Sequence, residues 1–244
     1  MLIGSAEVRD LVPDPPTLEA FATEPVLLPG ATVVQFICEI RVSGRESSLP
    51  SGLHPTNPPS VVFQFWDCPE SPWGPFRMAQ GRVACRSGLR PRGFVQRCVT
   101  DSATAAEALR SQWGFPATAG EIVVDRGYDR VRAEVALGGP AVLALTGRDP
   151  DPLGNGDIAF TATVALANTP RGLRLVQIDC DYNASRAERV RPVVDSFEPG
   201  AWLPASIDLT WPISAAVAIA DITLEPHRYV SKPDELAFTG TETL

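Results

Sequence analysis

The chain of 244 residues has few chemically active side chains: two His, five Cys and a single Lys, Lys232. Metal sites need several His, Cys or carboxylate ligands at characteristic spacings. His54 and His227 stand far apart, and no two Cys form a C-x-x-C pair. The sequence therefore predicts no metal site. Because the number of Cys is odd and no signal peptide is expected, we also expect reduced, buried thiols.

Positive charge is scarce as well, with a net charge of −8 and an isoelectric point near 4.8. Nucleic acids and anionic membrane surfaces bind basic surfaces, so we expect neither as a partner. No apolar run reaches the roughly 18 residues of a membrane-spanning helix. Charged residues at Glu7, Arg9 and Asp10 interrupt the apolar start of the chain. We therefore expect a cytoplasmic protein without a signal peptide.

Motifs for covalent catalysis and for phosphate binding are missing too. No G-x-S-x-G is present, and the isolated G-x-G at Gly154–Gly156 precedes no helical pattern. A phosphate-binding loop needs both its glycines and the helix that follows them. We therefore expect a protein without a cofactor.

The chain does contain many short runs of apolar and β-branched residues, bounded by Gly and Pro, which is typical of strands. Two helices are predicted, Ala103–Trp113 and Ala184–Val190. Many strands with few helices favour a closed or sandwiched β architecture. The predicted strands are Val33–Val42, Val61–Trp66, Phe76–Cys85, Phe94–Thr100, Glu121–Val124, Arg130–Leu137, Ala141–Thr146, Ile158–Ala167, Leu173–Tyr182, Ala205–Leu209 and Val217–Leu224.

Two short motifs in the middle of the chain point to a known family. Gly74-Pro75-Phe76 corresponds to a G-P-Y-x-E pattern, and the run Arg110–Thr118, RSQWGFPAT, corresponds to G-R-E-x-x-G-[YF]-P-K-K. Leu49–Leu53 corresponds to an L-P-x-x-L turn. On these residues the chain resembles the acetoacetate decarboxylase superfamily. The resemblance implies a mainly β (α+β) fold, a double-psi type β-barrel with a few flanking helices and an internal cavity.

The resemblance extends over roughly residues 31–230. We therefore predict an N-terminal extension at 1–30, one barrel domain at 31–230 and a polar C-terminal tail at 231–244. Members of the family often assemble, so a homo-oligomer is among the expectations.

The chain departs from the family at the positions that carry the family's chemistry. The lysine that forms a Schiff base with a ketone corresponds to Ala117, and the lysine after it corresponds to Thr118. Two family glutamates correspond to Trp66 and Met78, and the family's N-terminal arginine falls near Ala31. A Schiff base needs an amine. The resemblance therefore implies a divergent member without Schiff-base chemistry.

These replacements make the implied cavity more apolar, which is typical of pockets for small organic ligands. Packing of an ordinary core is the alternative interpretation of the same aromatic residues. Acid, base or oxyanion-stabilising groups are predicted at Asp67, Arg77 and Gln80, although Asp67 is equally compatible with a solvated loop. The predicted ligand-binding residues are Gln64, Trp66, Phe76, Met78, Arg110, Trp113, Phe115, Ala117 and Thr118.

These observations predict a cofactor-free enzyme, a cyclase or lyase of secondary metabolism. It would bind a largely apolar, polyketide-like intermediate and promote cyclisation or a related rearrangement by holding it in a reactive geometry. Two alternatives remain open. One is a non-catalytic protein that binds a small molecule. The other is a lysine-independent decarboxylase or dehydratase with Asp67 or Glu121 as the proton donor.

Overall fold

The computed structural model describes residues 2–154 and 156–244. The helical segments are short: α1 (Val8–Leu11), a 3-10 turn (Val42–Gly44), α2 (Ala103–Ala108), a π-helical turn (Leu109–Trp113) and α3 (Ala237–Gly240). The described strands are β1 (Val26–Ile40), β2 (His54–Pro55), β3 (Ser60–Cys68), β4 (Phe76–Ser87), β5 (Arg90–Thr100), β6 (Ala117–Ala119), β7 (Glu121–Arg126), β8 (Arg130–Ala136), β9 (Ala141–Leu153), β10 (Thr163–Thr169), β11 (Gly172–Ile178), β12 (Cys180–Phe197), β13 (Leu209–Leu224), β14 (Tyr229–Ser231) and β15 (Thr241–Thr243).

All of these strands belong to one sheet, which confirms the predicted mainly β fold. The hydrogen-bonded order is β15-β14-β11-β10-β5-β4-β3-β1-β13-β12-β9-β8-β7, with β2 added to β4 and β6 added to β5. Neighbours are antiparallel except for β5 with β6 and β5 with β10.

The prediction of a closed barrel is corrected, because the sheet is open. Strand β7 is the last in this order, but only Gly120 separates it from β6, which pairs with β5 in the middle of the sheet. The end of the sheet therefore returns to its middle. Both edges of β5 are already occupied there, one by β4 and the other by β6 and β10. With no free edge beside it, β7 pairs with β8 alone within residues 2–154 and 156–244. The sheet therefore curls round without a closing ladder.

The first predicted helix is present but changes its winding. Ser102 Oγ accepts a hydrogen bond from the Ala105 amide at 3.3 Å and caps α2. The chain continues as the π-helical turn up to Trp113 and ends at Gly114, whose φ of 80° favours glycine. This turn buries both Leu109 and Trp113.

The second predicted helix, Ala184–Val190, is wrong, because these residues lie inside strand β12. From Cys180 to Val190 the strand pairs with β13, and from Ala187 to Phe197 it pairs with β9. Hydrogen bonding to neighbouring strands satisfies the backbone and overrides a local composition that suits a helix.

Two further strand predictions are wrong in part. Of the predicted strand Ala205–Leu209 only Leu209 lies in a strand, because residues 205–208 precede β13 as a loop. Residues 158–162 likewise precede β10 as a loop. The second of these loops matters for the site described below. No helix in the described part of the chain is long and apolar enough to cross a membrane.

The curled sheet buries apolar side chains on both of its faces. Alternate residues of a strand point to opposite faces. Phe63 and Phe65 therefore join one core, while Trp66 joins a second core together with Met78 and Phe115. The second core faces the position where the resemblance places the family's lysine.

Candidate active site

A row of five directly opposed residues crosses the face of the second core. It consists of Gln35 in β1, Gln64 in β3, Gln80 in β4, Cys98 in β5 and Ala117 in β6. Opposed residues of paired strands share one face of a sheet. All five are buried, with exposed fractions of 5% or less. The structure thus brings together three of the predicted site residues, Gln64, Gln80 and Ala117.

The next row contributes an apolar wall beside these residues. Trp66 and Met78 are directly opposed and have exposed fractions of 1% and 0%. The Trp66 ring makes edge contacts with Phe115, at 6.5 Å between centroids, and with Tyr182, at 6.3 Å. The side chains at Trp66 and Met78 therefore occupy core volume on the same face as the polar row.

A polar cluster is built around Gln64, and we call Gln64, Gln80, Arg82 and Tyr182 the Arg82 cluster. Gln64 Oε1 accepts hydrogen bonds from Trp66 Nε1 at 3.2 Å, from the Tyr182 hydroxyl at 3.5 Å and from Arg82 Nη2. Gln80 lies on the same face of β4 as Arg82, two residues before it. The Gln80 amide nitrogen lies 3.6 Å from the Met78 sulfur.

Three buried polar atoms of this cluster have no hydrogen-bond partner within the described residues: Gln64 Nε2, Gln80 Oε1 and Arg82 Nε. Leaving a buried polar group unpaired costs about 1–3 kcal/mol. Such atoms also occur elsewhere in the described residues, Arg92 Nε and Gln96 Oε1 among them, but here three of them belong to strand-paired or hydrogen-bonded neighbours. Together these atoms offer two donors and one acceptor at one place. Such a set is suited to a ligand that carries a carbonyl or another polar oxygen.

The charge of Arg82 is not neutralised by an acidic side chain. Its guanidinium is fully buried and donates from Nη1 to the Thr161 carbonyl and to Thr163 Oγ1, both at 2.7 Å. No carboxylate within residues 2–154 and 156–244 forms an ion pair with it. Burial lowers the pKa of Arg82 from its ordinary value.

A second buried arginine, Arg92, provides the contrast. Its Nη1 lies 2.7 Å from Asp179 Oδ1, and its Nη2 donates to Gln177 Oε1 at 2.8 Å. Buried charges are normally paired in this way. A buried arginine without such a partner, at a place with unpaired polar atoms, favours an electron-rich ligand at Arg82.

The titratable side chains around the cluster are protonated at neutral pH. Burial raises the pKa of the Cys180 thiol to about 12, and it raises the pKa values of Cys98 and Tyr182 as well. The thiolate, not the thiol, is the nucleophile of cysteine chemistry. These groups therefore suit hydrogen-bond or proton donation and not nucleophilic attack.

The structure separates two of the three predicted catalytic residues from Gln80. Asp67 and Arg77 are directly opposed and alternate with Trp66 and Met78, so they lie on the other face of the sheet. Arg77 Nε lies 3.4 Å from Asp67 Oδ1, and its backbone amide donates to Asp101 Oδ1 at 2.7 Å.

Asp67, Arg77 and Phe76 line an open cleft of about 500 Å³ at the surface, away from the row that contains Ala117. The other predicted proton donor, Glu121, is exposed at the start of β7. Neither acid lies in the Arg82 cluster.

Three further predicted residues surround the turn that carries Ala117. Arg110 donates to Asp14 Oδ2 at 2.8 Å and to the Ala117 carbonyl at 3.3 Å. The Trp113 ring packs on His227 with 5.3 Å between centroids, and Thr118 Oγ1 donates to the Cys98 carbonyl at 3.3 Å. These contacts hold the turn in place.

Sequence analysis missed Gln35, Arg82 and Tyr182 as site residues. For Arg82 a signal was present, because period-two alternation puts it on the same face as Met78 and Gln80. Gln35 and Tyr182 carry no such local signal, since only strand pairing brings them to Gln64.

Comparison with known proteins gives the same fold. The acetoacetate decarboxylase of Legionella pneumophila subsp. pneumophila str. Philadelphia 1 superposes with a TM-score of 0.74 at 19% identity, over 91% of this chain and 94% of that one. The enduracididine biosynthesis enzyme MppR, complexed with pyruvate, gives a TM-score of 0.67 at 17% identity, over 84% and 89%. An acetoacetate decarboxylase-like enzyme from Sphingomonas wittichii RW1 gives 0.64 at 15% identity, over 84% and 92%.

The sequence itself matches the model of the acetoacetate decarboxylase (ADC) family over residues 9–232. No curated protein matches the chain by sequence. Since the family match covers most of the chain and the solved structures share its architecture, the chain belongs to the acetoacetate decarboxylase family.

Proposed function

We propose that this family member is a cofactor-free enzyme that stabilises the enolate of a small carbonyl substrate in the Arg82 cluster. The observation that carries the proposal is the pair of unpartnered donors Gln64 Nε2 and Arg82 Nε, with the unpartnered acceptor Gln80 Oε1 in the same cluster. They lie on the face where the resemblance puts the family's reactive lysine. Fixed donors that meet a developing oxyanion in a dry site are among the largest contributions to catalysis.

The proposed enzyme works without an imine, because Ala117, which the resemblance aligns with the family's lysine, has no amine. Ala117 ends in a methyl group, and the single lysine, Lys232, has a partly exposed side chain that pairs with Glu235. Hydrogen bonds to the substrate oxygen replace the electron sink that a protonated imine provides elsewhere in the family. The positive charge of Arg82 makes its donor stronger than that of a neutral group.

Decarboxylation of a 3-oxo acid is the reaction that this arrangement supports best. The bond between the carboxylate carbon and C2 breaks, carbon dioxide leaves, and the electron pair moves into an enolate whose negative charge rests on the ketone oxygen. No proton has to be removed, so the reaction needs no base. This matches a cluster whose described members, Gln64, Gln80, Arg82 and Tyr182, include no carboxylate. The enolate carbon then takes up a proton.

The apolar wall of Trp66, Met78 and Phe115 supports a second candidate, ring closure of a polyketide-like substrate. Here too the enolate forms by loss of carbon dioxide, so no base is needed. Its carbon attacks a second carbonyl of the same molecule, a carbon–carbon bond forms as the carbonyl π bond breaks, and the attacked oxygen takes up a proton from solvent. The same donors stabilise both enolates. An apolar wall also suits a substrate with an apolar body and disfavours a solvated carboxylate beside it.

The test is turnover of 3-oxo acids of increasing chain length, followed as carbon dioxide release and by mass spectrometry of the products. We expect Gln64→Leu to lower kcat by about 10²–10³-fold, the usual effect of losing one oxyanion donor. The matched control is Gln96→Leu, because Gln96 is a buried glutamine whose amide binds the Ser48 carbonyl on the other side of the sheet. It should leave kcat unchanged.

Borohydride treatment in the presence of substrate should leave the protein active and unmodified. A trapped adduct on Lys232 would overturn the imine-free mechanism. Tight binding of these acids without any product would instead favour the non-catalytic alternative.

A further inference from the structure

The Arg82 cluster is covered by the loop of residues 157–162, which precedes β10. The Phe160 ring packs on Tyr182 with 4.6 Å between centroids, and the Thr161 carbonyl accepts a hydrogen bond from Arg82 at 2.7 Å. The unpartnered atoms beneath are buried. A ligand therefore reaches them only if part of the surrounding structure moves.

The loop is the part of that surrounding that moves most easily. The other walls of the cluster are strands: β1, β3 and β4 are hydrogen-bonded along both edges, and β12 pairs with β13 around Tyr182. Residues 157–162 belong to no strand ladder. The loop is tied at its end, where the Gly93 amide donates to the Ala162 carbonyl at 2.7 Å. Segments held by few backbone hydrogen bonds open locally at low cost, as active-site lids do.

One side chain of the sheet holds the middle of this loop with both ends of its amide. Gln35 Oε1 accepts from the Thr161 backbone amide at 3.0 Å, and Gln35 Nε2 donates to the Ala159 carbonyl at 3.3 Å. Gln35 lies directly opposite Gln64 in the polar row. Gln35 therefore contacts the loop that covers the site, and it is not one of the groups proposed to bind the substrate.

We propose that Gln35 is a positioning residue that latches residues 157–162 over the Arg82 cluster. Its catalytic consequence rests on the proposed function, whereas the latch itself does not. Breaking the latch opens the loop more often, so a bound substrate escapes more readily and water enters the site. Substrate binding then weakens more than the chemical step slows.

The backbone amide of Thr161 reports the latch directly, because its acceptor is the Gln35 side chain and not a neighbouring strand. We expect hydrogen exchange of this amide to become roughly tenfold faster or more in Gln35→Met, the factor for loss of one to two hydrogen bonds. Gln96→Met is the matched control, since it also removes a buried amide that binds a loop carbonyl. It should leave exchange at Thr161 unchanged.

If Thr161 exchanges in the unmodified protein at the rate of an unstructured peptide, or equally fast in both variants, the latch does not exist. With a 3-oxo acid that is turned over, Gln35→Met should raise KM by a larger factor than it lowers kcat. A lower kcat with an unchanged KM would overturn the positioning role. If no such acid is turned over, the proposed function fails, and exchange at Thr161 still decides the latch.

Discussion

Replacing each of the two buried arginines by methionine is predicted to destabilise the protein strongly at Arg92 and only slightly at Arg82. In Arg92→Met, the Gln177 oxygen and the Thr163 carbonyl lose a charged donor, and Asp179 loses its ion-pair partner. Breaking a fully buried pair costs about 3–5 kcal/mol. Because the Asp179 side chain is 32% exposed, solvent screens part of this cost. We expect Arg92→Met to lower the free energy of unfolding by about 2–4 kcal/mol.

In Arg82→Met, the losses are offset by the removal of an unpaired buried charge. Thr161 and Thr163 each lose a hydrogen bond, at about 1 kcal/mol apiece, while Gln64 Oε1 keeps its bonds from Trp66 and Tyr182. Taking a charge out of water costs several kcal/mol in a real protein interior. Removing Arg82 recovers that cost, so we expect a free energy of unfolding within about 1–2 kcal/mol of the unmodified protein.

Urea unfolding followed by circular dichroism measures both free energies, and equal m-values ensure that they are comparable. An Arg82→Met variant as destabilised as Arg92→Met would refute the view that Arg82 carries an uncompensated charge.

The remaining predictions concern three positions of the second core and the nearby His227. Trp66→Ala should lower the free energy of unfolding by about 3–5 kcal/mol and Met78→Ala by about 2–5 kcal/mol, since both side chains are buried. Losses below about 1 kcal/mol in urea unfolding would contradict their packing in the core. Ala117→Lys should place an amine of lowered pKa in the buried row, so borohydride with a small 3-oxo acid should give an adduct seen by mass spectrometry. A folded variant without the adduct would contradict the placement of residue 117. Burial lowers the pKa of His227 to about 4, below 6.5 in the unfolded chain, so stability is fully present above pH 6.5 and falls towards pH 4 by about 3 kcal/mol. His227→Gln should flatten this part of the pH profile of urea unfolding, and an unchanged slope would contradict the assignment.

Local patterns in the sequence determined most of the strands. Val61–Trp66 and Phe76–Cys85 alternate with period two, and both lie within observed strands, β3 and β4. The same alternation placed Gln64 and Trp66 on one face and Phe63 and Phe65 on the other, as observed. Period and face are local properties of a chain, so a short window of residues is enough to predict them.

The prediction failed where the neighbours of a segment decide its structure. Ala184–Val190 has the composition of a helix, but β13 and β9 supply the hydrogen bonds that make it a strand. The closed barrel failed for a related reason. Whether a ladder closes depends on which strand edges are still free when the sheet has curled round, and no local pattern records this.

The sequence by itself determined that residue 117 is an alanine and that the chain has one lysine. With the resemblance that aligns residue 117 with the family's lysine, these facts predict that imine chemistry is absent at that position. Period-two alternation also placed Gln64 on one face of a predicted strand, and Gln80 and Arg82 together on one face of the next. Only the tertiary structure decided which groups meet Arg82. Thr161 lies 79 residues away from it along the chain, and Tyr182 lies 118 residues from Gln64. Such contacts arise from the pairing of distant strands, which depends on the packing of the whole sheet and not on the periodicity of any one segment.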